Sequence, residues 1–208
     1  MSRLEAAFAE APLVAILRGV RPDEVAAVGE ALHGAGVRIV EIPLNSPEPF
    51  ESLRRLVDAL GDQLVCGSGT VLRAEEADRV ADAGGEILVS PNTDSAVIGR
   101  ALERGLVPMP GFATPTEAFS AYAAGARWLK LFPAVSLGPA HLKQVMAVLP
   151  RDVRVLAVGG VGPAAFADWR AAGAQGFGLG SELYRPGDSP AAVAEKARAC
   201  MAALRGSG

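Results

Sequence analysis

Cysteine, histidine and aromatic residues are scarce in this chain of 208 residues, which has two Cys, two His and 5% Phe, Trp and Tyr together. Cys66 and Cys200 supply neither a disulfide framework nor a C-x-x-C metal knuckle, which fits a reducing compartment and a core-filling role. No cluster of His, Asp and Glu has metal-ligand spacing, and His33 and His141 fall in helical segments, so neither a metal nor a cofactor is expected. Positive charge is not in excess either. With 20 Lys and Arg against 23 Asp and Glu the formal charge is -3, which removes the broad basic surface of a nucleic-acid binder but leaves room for a local anion pocket. Long apolar runs are missing: the longest uncharged stretch, Val155 to Ala167, contains glycines and a proline and falls short of the about 18 residues that cross a bilayer. Glu5 and Glu10 interrupt what would be the apolar region of a signal peptide. The expectation is a cytoplasmic protein with a small-molecule partner, no nucleic acid and no membrane.

What the chain does contain is hydrophobic residues, 50% of the total, enough for one sizeable core and a single domain over residues 1–208. Short runs rich in Val, Ile and Leu recur at Leu13 to Leu17, Val37 to Ile42, Leu64 to Cys66, Glu86 to Val89, Leu106 to Pro108, Arg127 to Phe132, Val153 to Val158 and Gly176 to Leu179. Most are too apolar to alternate, as expected of parallel strands covered on both faces. Between them lie helical stripes such as Val25, Val28 and Leu32, or Leu142, Val145, Met146 and Leu149. Several end in glycine just before the next strand, at Gly36, Gly84, Gly105, Gly125 and Gly173. Start signals agree: Pro22 precedes Asp23 and Glu24, and Thr114-Pro115-Thr116-Glu117 reads as a capping box. Eight alternations of strand and helix, with no linker between them, predict an α/β fold, a compact (β/α)₈ TIM barrel. An open doubly wound sheet is the structural alternative.

In a barrel the chemistry lies at the C-terminal ends of the strands. Lys130 stands there inside the apolar run Trp128-Leu129-Lys130-Leu131-Phe132-Pro133. Desolvation of such an amine lowers its pKa and yields a nucleophile suited to Schiff-base chemistry, although a lysine whose stem packs while its head pairs with a carboxylate fits the same pattern. Glu41 is likewise a single ionisable group between Ile39-Val40 and Ile42-Pro43, a candidate proton-transfer group or a structural partner for Arg18 or Lys130. Two isolated charges of opposite sign on different strands favour the catalytic reading of both. Gly159-Gly160 and Gly178 to Ser181 follow the last two strands, where barrels commonly hold phosphate on exposed backbone N–H groups.

These residues, in this order, closely resemble the class I aldolases that cleave 2-keto-3-deoxy-6-phospho sugar acids. The likeness runs from Ala15-Ile16-Leu17-Arg18-Gly19 to Leu179-Gly180-Ser181-Glu182-Leu183-Tyr184-Arg185, and its most specific pieces are Val40-Glu41-Ile42-Pro43-Leu44-Asn45-Ser46-Pro47, Gly67-Ser68-Gly69-Thr70-Val71-Leu72, Leu129-Lys130-Leu131-Phe132-Pro133 and Val158-Gly159-Gly160-Val161. The resemblance implies a Schiff base on Lys130, proton transfer by Glu41, and a substrate carboxylate held by Thr70 and neighbouring backbone. It further implies phosphate on Gly159, Gly160, Gly180 and Ser181, a pocket lined by Pro91 and Phe132, and a homotrimer.

Two positions sort the chain within the family. Asn45 stands where the gluconate-type branch tends to carry an arginine, and Val158 where it tends to carry a threonine. Both departures resemble the galactonate-type branch, with Arg18 supplying the positive charge. The implied partner is a phosphorylated keto sugar acid, cleaved to pyruvate and glyceraldehyde 3-phosphate. Alternatives are the gluconate epimer or both epimers as substrates, a phosphosugar isomerase or epimerase, and a non-catalytic phosphate-ligand sensor. A buried amine speaks against the last two, because neither proton transfer nor binding requires one.

Overall fold

The computed structural model describes residues 2–207; residues 1 and 208, the outer limits of the expected domain, lie outside the described residues. Nine strand segments form one parallel sheet: β1 (Leu13–Ile16), β2 (Ile39–Pro43), β3 (Val65–Gly69), β4 (Ile87–Val89), β5 (Val107–Met109), β6 (Gly111–Phe112), β7 (Trp128–Leu131), β8 (Arg154–Val158) and β9 (Gly176–Leu179). Their order is β5-β4-β3-β2-β1-β9-β8-β7-β6. Because β5 and β6 are separated only by Pro110, the two ends of this order are one interrupted strand and the sheet closes on itself. Pro110 has no N–H to give to a ladder, but its carbonyl accepts the Lys130 N–H at 2.9 Å and carries the seam across the gap. The eight expected strands are thus present, the fifth in two pieces and reaching Phe112 rather than ending at Pro108.

Around the barrel stand α2 (Val25–Gly34), α3 (Pro49–Leu60), α4 (Ala74–Asp82), α5 (Ser95–Glu103), α6 (Pro115–Ala123), α7 (Ala134–Met146), α8 (Phe166–Ala171) and α9 (Pro190–Gly206). The capping box at α6 forms, with Glu117 N–H donating to the Thr114 hydroxyl and Thr114 N–H donating to the Glu117 carboxylate. All five helix-ending glycines have positive φ. The helix expected from Pro22 begins at Val25 instead, after a turn in which Glu24 accepts the Arg21 N–H.

The strands bury both faces in separate layers. Outward residues such as Ala15, Val40, Leu129, Ala157 and Phe177 pack under the helices, while Val14, Ile39, Val65, Ile87, Met109, Trp128 and Leu156 fill the barrel. A helix not foreseen from the sequence, α1 (Arg3–Glu10), precedes β1 and closes the N-terminal end of the barrel. It sends Leu4 and Phe8 into the interior layer, where Phe8 meets Trp128 edge to face with ring centroids 4.6 Å apart. The C-terminal end carries no such plug and holds the polar groups.

Candidate active site

Parity along the strands decides which side chains reach the interior. On β7 and at the residue just after it, Trp128, Lys130 and Phe132 point inward and alternate with Leu129 and Leu131, which pack under the helices. The same alternation on β2 puts Glu41 above Ile39, and register brings Glu41 beside Ile16 on one side and Gly67 on the other. Both charges are buried, Glu41 3% and Lys130 8% exposed. Glycine creates the room for this. A Cβ on Gly69 would fall on the Glu41 carboxylate, and one on Gly178 would come within 2.8 Å of Val158 Cγ2.

Burial pushes the Glu41 carboxyl up to about 7, against the opposing pull of Lys130 and then Arg18. Burial likewise lowers Lys130; Glu41 acts against that, and the Arg18 charge adds to it. The carboxyl is thus shifted up and the amine down, the directions that a proton-transfer carboxyl and a nucleophilic amine require. Among the described residues no direct ion pair joins them, and Glu41 Oε2 has no hydrogen-bond partner. Lys130 Nζ lies 4.8 Å from the centre of the Phe132 ring, whose face favours a nearby cation.

Above these groups opens a cavity of about 230 Å³. It is lined by Arg18, Glu41, Thr70, Pro91, Lys130, Phe132, Val158, Gly159, Gly160, Gly180 and Ser181, all singled out in the sequence. Thr70 holds φ at 57°, a left-handed conformation rare for a β-branched residue, directly after β3. Asn45 is not in the lining. Its Oδ1 accepts a hydrogen bond from Arg18 Nη1, so it meets the residue that faces the cavity rather than the cavity itself. Sequence reasoning did not assign Ile16, Val161 or Glu182 to the site, whereas Gly178, which also lines the cavity, falls in the glycine cluster expected after the last strand. Strand parity was the available signal for Ile16, which lies two residues before Arg18.

Residues 4–190 match the family described as KDPG and KHG aldolase. The chain belongs to this aldolase family. It is therefore a carbon–carbon lyase on a TIM barrel. The chain is 50% identical over 194 residues, 93% of its own length and 95% of the relative's, to the 2-dehydro-3-deoxy-6-phosphogalactonate aldolase of Escherichia coli K12. A probable 2-dehydro-3-deoxy-6-phosphogalactonate aldolase of Rhizobium meliloti is 48% identical over 203 residues, covering 98% of this chain and 96% of that one. A solved native KDPGal structure superposes with a TM-score of 0.93 at 48% identity, covering 95% of this chain and 96% of that chain. No helix among the described residues is long and apolar enough to cross a membrane.

Proposed function

We propose that this aldolase cleaves 2-dehydro-3-deoxy-6-phospho-D-galactonate to pyruvate and D-glyceraldehyde 3-phosphate through a Schiff base on Lys130. The observation that carries this reading is a buried amine and a buried carboxyl that line one cavity together with Gly159, Gly160, Gly178 and Gly180. Neutral Lys130 Nζ adds to the C2 ketone. Glu41 protonates the carbinolamine oxygen, which leaves as water and yields the iminium. The Glu41 carboxylate then accepts the C4 hydroxyl proton as the C3–C4 bond breaks and its electron pair enters the iminium. After the aldehyde departs, protonation of the enamine at C3 and hydrolysis release pyruvate and restore the amine.

Arg18 and Thr70 hold the substrate carboxylate, and Gly159, Gly160, Gly180 and Ser181 hold the phosphate on backbone N–H groups and a hydroxyl. Borohydride added with pyruvate should leave one reduced pyruvyl adduct on Lys130; full incorporation into Lys130→Ala rejects the assignment. The galactonate epimer is favoured because Val158 offers a methyl surface at the substrate, where a hydroxyl would discriminate more strongly. A wild-type kcat/KM clearly higher for the gluconate epimer would reject that part alone. The remaining pieces of the reading are one domain, a homotrimer, which light scattering tests, and a cytoplasmic setting that keeps the buried thiols of Cys66 and Cys200 reduced.

A further inference from the structure

Of the two cations that line the cavity, Arg18 is the exposed one. It lies two residues beyond the end of β1, and its long side chain has many rotamers, so a fixed position must be imposed by neighbours. Among the described residues no salt bridge holds it. What holds it comes from two consecutive residues of the loop after β2. Asn45 accepts from the Arg18 guanidinium, and the Ser46 hydroxyl accepts the N–H of Gly19, the next residue along, at 2.9 Å. Ser46 is buried, 8% exposed, and its own N–H donates to the Pro43 carbonyl at 2.9 Å, so the hydroxyl is presented by a closed turn.

The peptide it grips is constrained on other sides as well. Gly19 has φ +84°, and the Pro186 ring occupies the place of a Cβ, 2.7 Å from it. On the strand side, Leu17 N–H donates to the Glu41 carbonyl at 2.9 Å, which ties the same stretch to the strand that carries the proton-transfer group. One end of Arg18 is thereby fixed by its backbone and the other by its guanidinium, both from residues 45 and 46.

The geometry points to Ser46 as a positioning residue that, through Gly19, holds Arg18 over the cavity, with Asn45 as the second half of the same clamp. This rests on the reading of Arg18 as the partner of the substrate carboxylate. Asn45 then acts on the substrate only through Arg18. A displaced Arg18 has a second effect, because its field is one of two that reach Glu41 and one of two that reach Lys130. Arg18 lowers both groups, so loosening it lets both rise. The charged groups lining the cavity besides these three reduce to Glu182 at the rim.

The test is a double-mutant cycle of Ser46→Ala and Arg18→Met in the full-length enzyme, read by KM, kcat and the pH profile of kcat/KM. Ser46→Ala alone should raise KM for the phosphorylated keto acid about five- to tenfold, the size of one lost hydrogen bond, with kcat changed less than about twofold. Both limbs of its pH profile should move to higher pH. In the Arg18→Met background Ser46→Ala should change neither quantity further, and Ser46→Thr should retain the hydroxyl and wild-type KM. Additive effects on KM, an unmoved pH profile, or a Ser46→Ala protein that no longer unfolds cooperatively would each mark Ser46 as merely structural and overturn the inference. Borohydride trapping on wild type keeps the two readings apart: a missing Lys130 adduct sinks the aldolase chemistry, whereas a normal adduct with an uncoupled cycle sinks only the clamp.

Discussion

The two ends of the barrel interior are built by the same strands and obey opposite rules. At the N-terminal end Leu4, Phe8, Val14, Ile39, Val65, Ile87, Trp128 and Leu156 fill the space, and the exposed Arg154 lies over the Trp128 ring, 5.2 Å from its centre. At the C-terminal end, two to four residues further along those strands, the interior positions are Arg18, Glu41, Gly69, Lys130 and Gly178, a carboxylate oxygen lacks a partner, and Thr70 is held in a left-handed conformation. Packing energy accumulates at one end, while the other keeps groups that folding alone would not choose. One strand thus carries both roles: on β7 Trp128 seals the floor and Lys130, next on the same face, faces the cavity.

If this division holds, substitutions at the two ends should fail in different ways. Glu41→Gln should lower turnover about 10²- to 10⁴-fold, the range of general acid–base catalysis, without loss of cooperative unfolding. A variant with unchanged turnover would move Glu41 to the structural side. Phe8→Ala removes the plug, and its expected cost is stability: about 3–5 kcal/mol, or roughly 10 °C in Tm, with borohydride trapping on Lys130 retained. Loss of trapping in a folded Phe8→Ala protein would show that the two ends are not separable.

A smaller effect concerns pH. Glu41 has its folded pKa raised from 4.5 to about 7, so folding favours the protonated form. Below pH 4.5 the group costs nothing as an ion; between 4.5 and 7 the unfolded chain ionises while the folded one resists, and stability falls as pH rises. The Tm of Glu41→Gln should therefore gain on wild type from pH 5 to pH 8, and a constant difference would argue against a buried, desolvated carboxyl. The smallest effect is expected at Glu48, an exposed residue with φ 41° at the start of α3. Glu48→Gly should stabilise by about 0.5–1 kcal/mol in thermal melts, because glycine adopts that conformation without strain.

The barrel was legible because strand and helix alternate eight times, five of the helices end in glycine, and local rules act on each alike. The interruption at Pro110 was not, since Pro108 and Pro110 together look like the end of a strand, and only the partners on either side show that the chain continues as one. Helix α1 carries its own start signal in the sequence. Ser2 and Glu5 form a capping box, with Glu5 N–H on the Ser2 hydroxyl and Ser2 N–H on the Glu5 carboxylate, so Glu5 both starts a helix and interrupts an apolar leader. In the site, Lys130 and Glu41 were legible as charges out of place. The contact from Asn45 to Arg18 was not, because 27 positions separate them along the chain and nothing local records a pairing that only the β1–β2 register creates.

The apolar plug beneath the barrel also dictates traffic. With Leu4, Phe8 and Trp128 filling the floor, a molecule that enters above Lys130 has to leave by the route it came. On the proposed chemistry the three-carbon fragment bonded to Lys130 lies deepest and the phosphorylated aldehyde lies between it and the mouth, so departure is sequential, aldehyde first and pyruvate last. Such ordering leaves a kinetic signature: pyruvate, the last product off, meets the free enzyme and competes with the sugar acid, whereas glyceraldehyde 3-phosphate captures the pyruvyl enzyme and drives it back toward condensation.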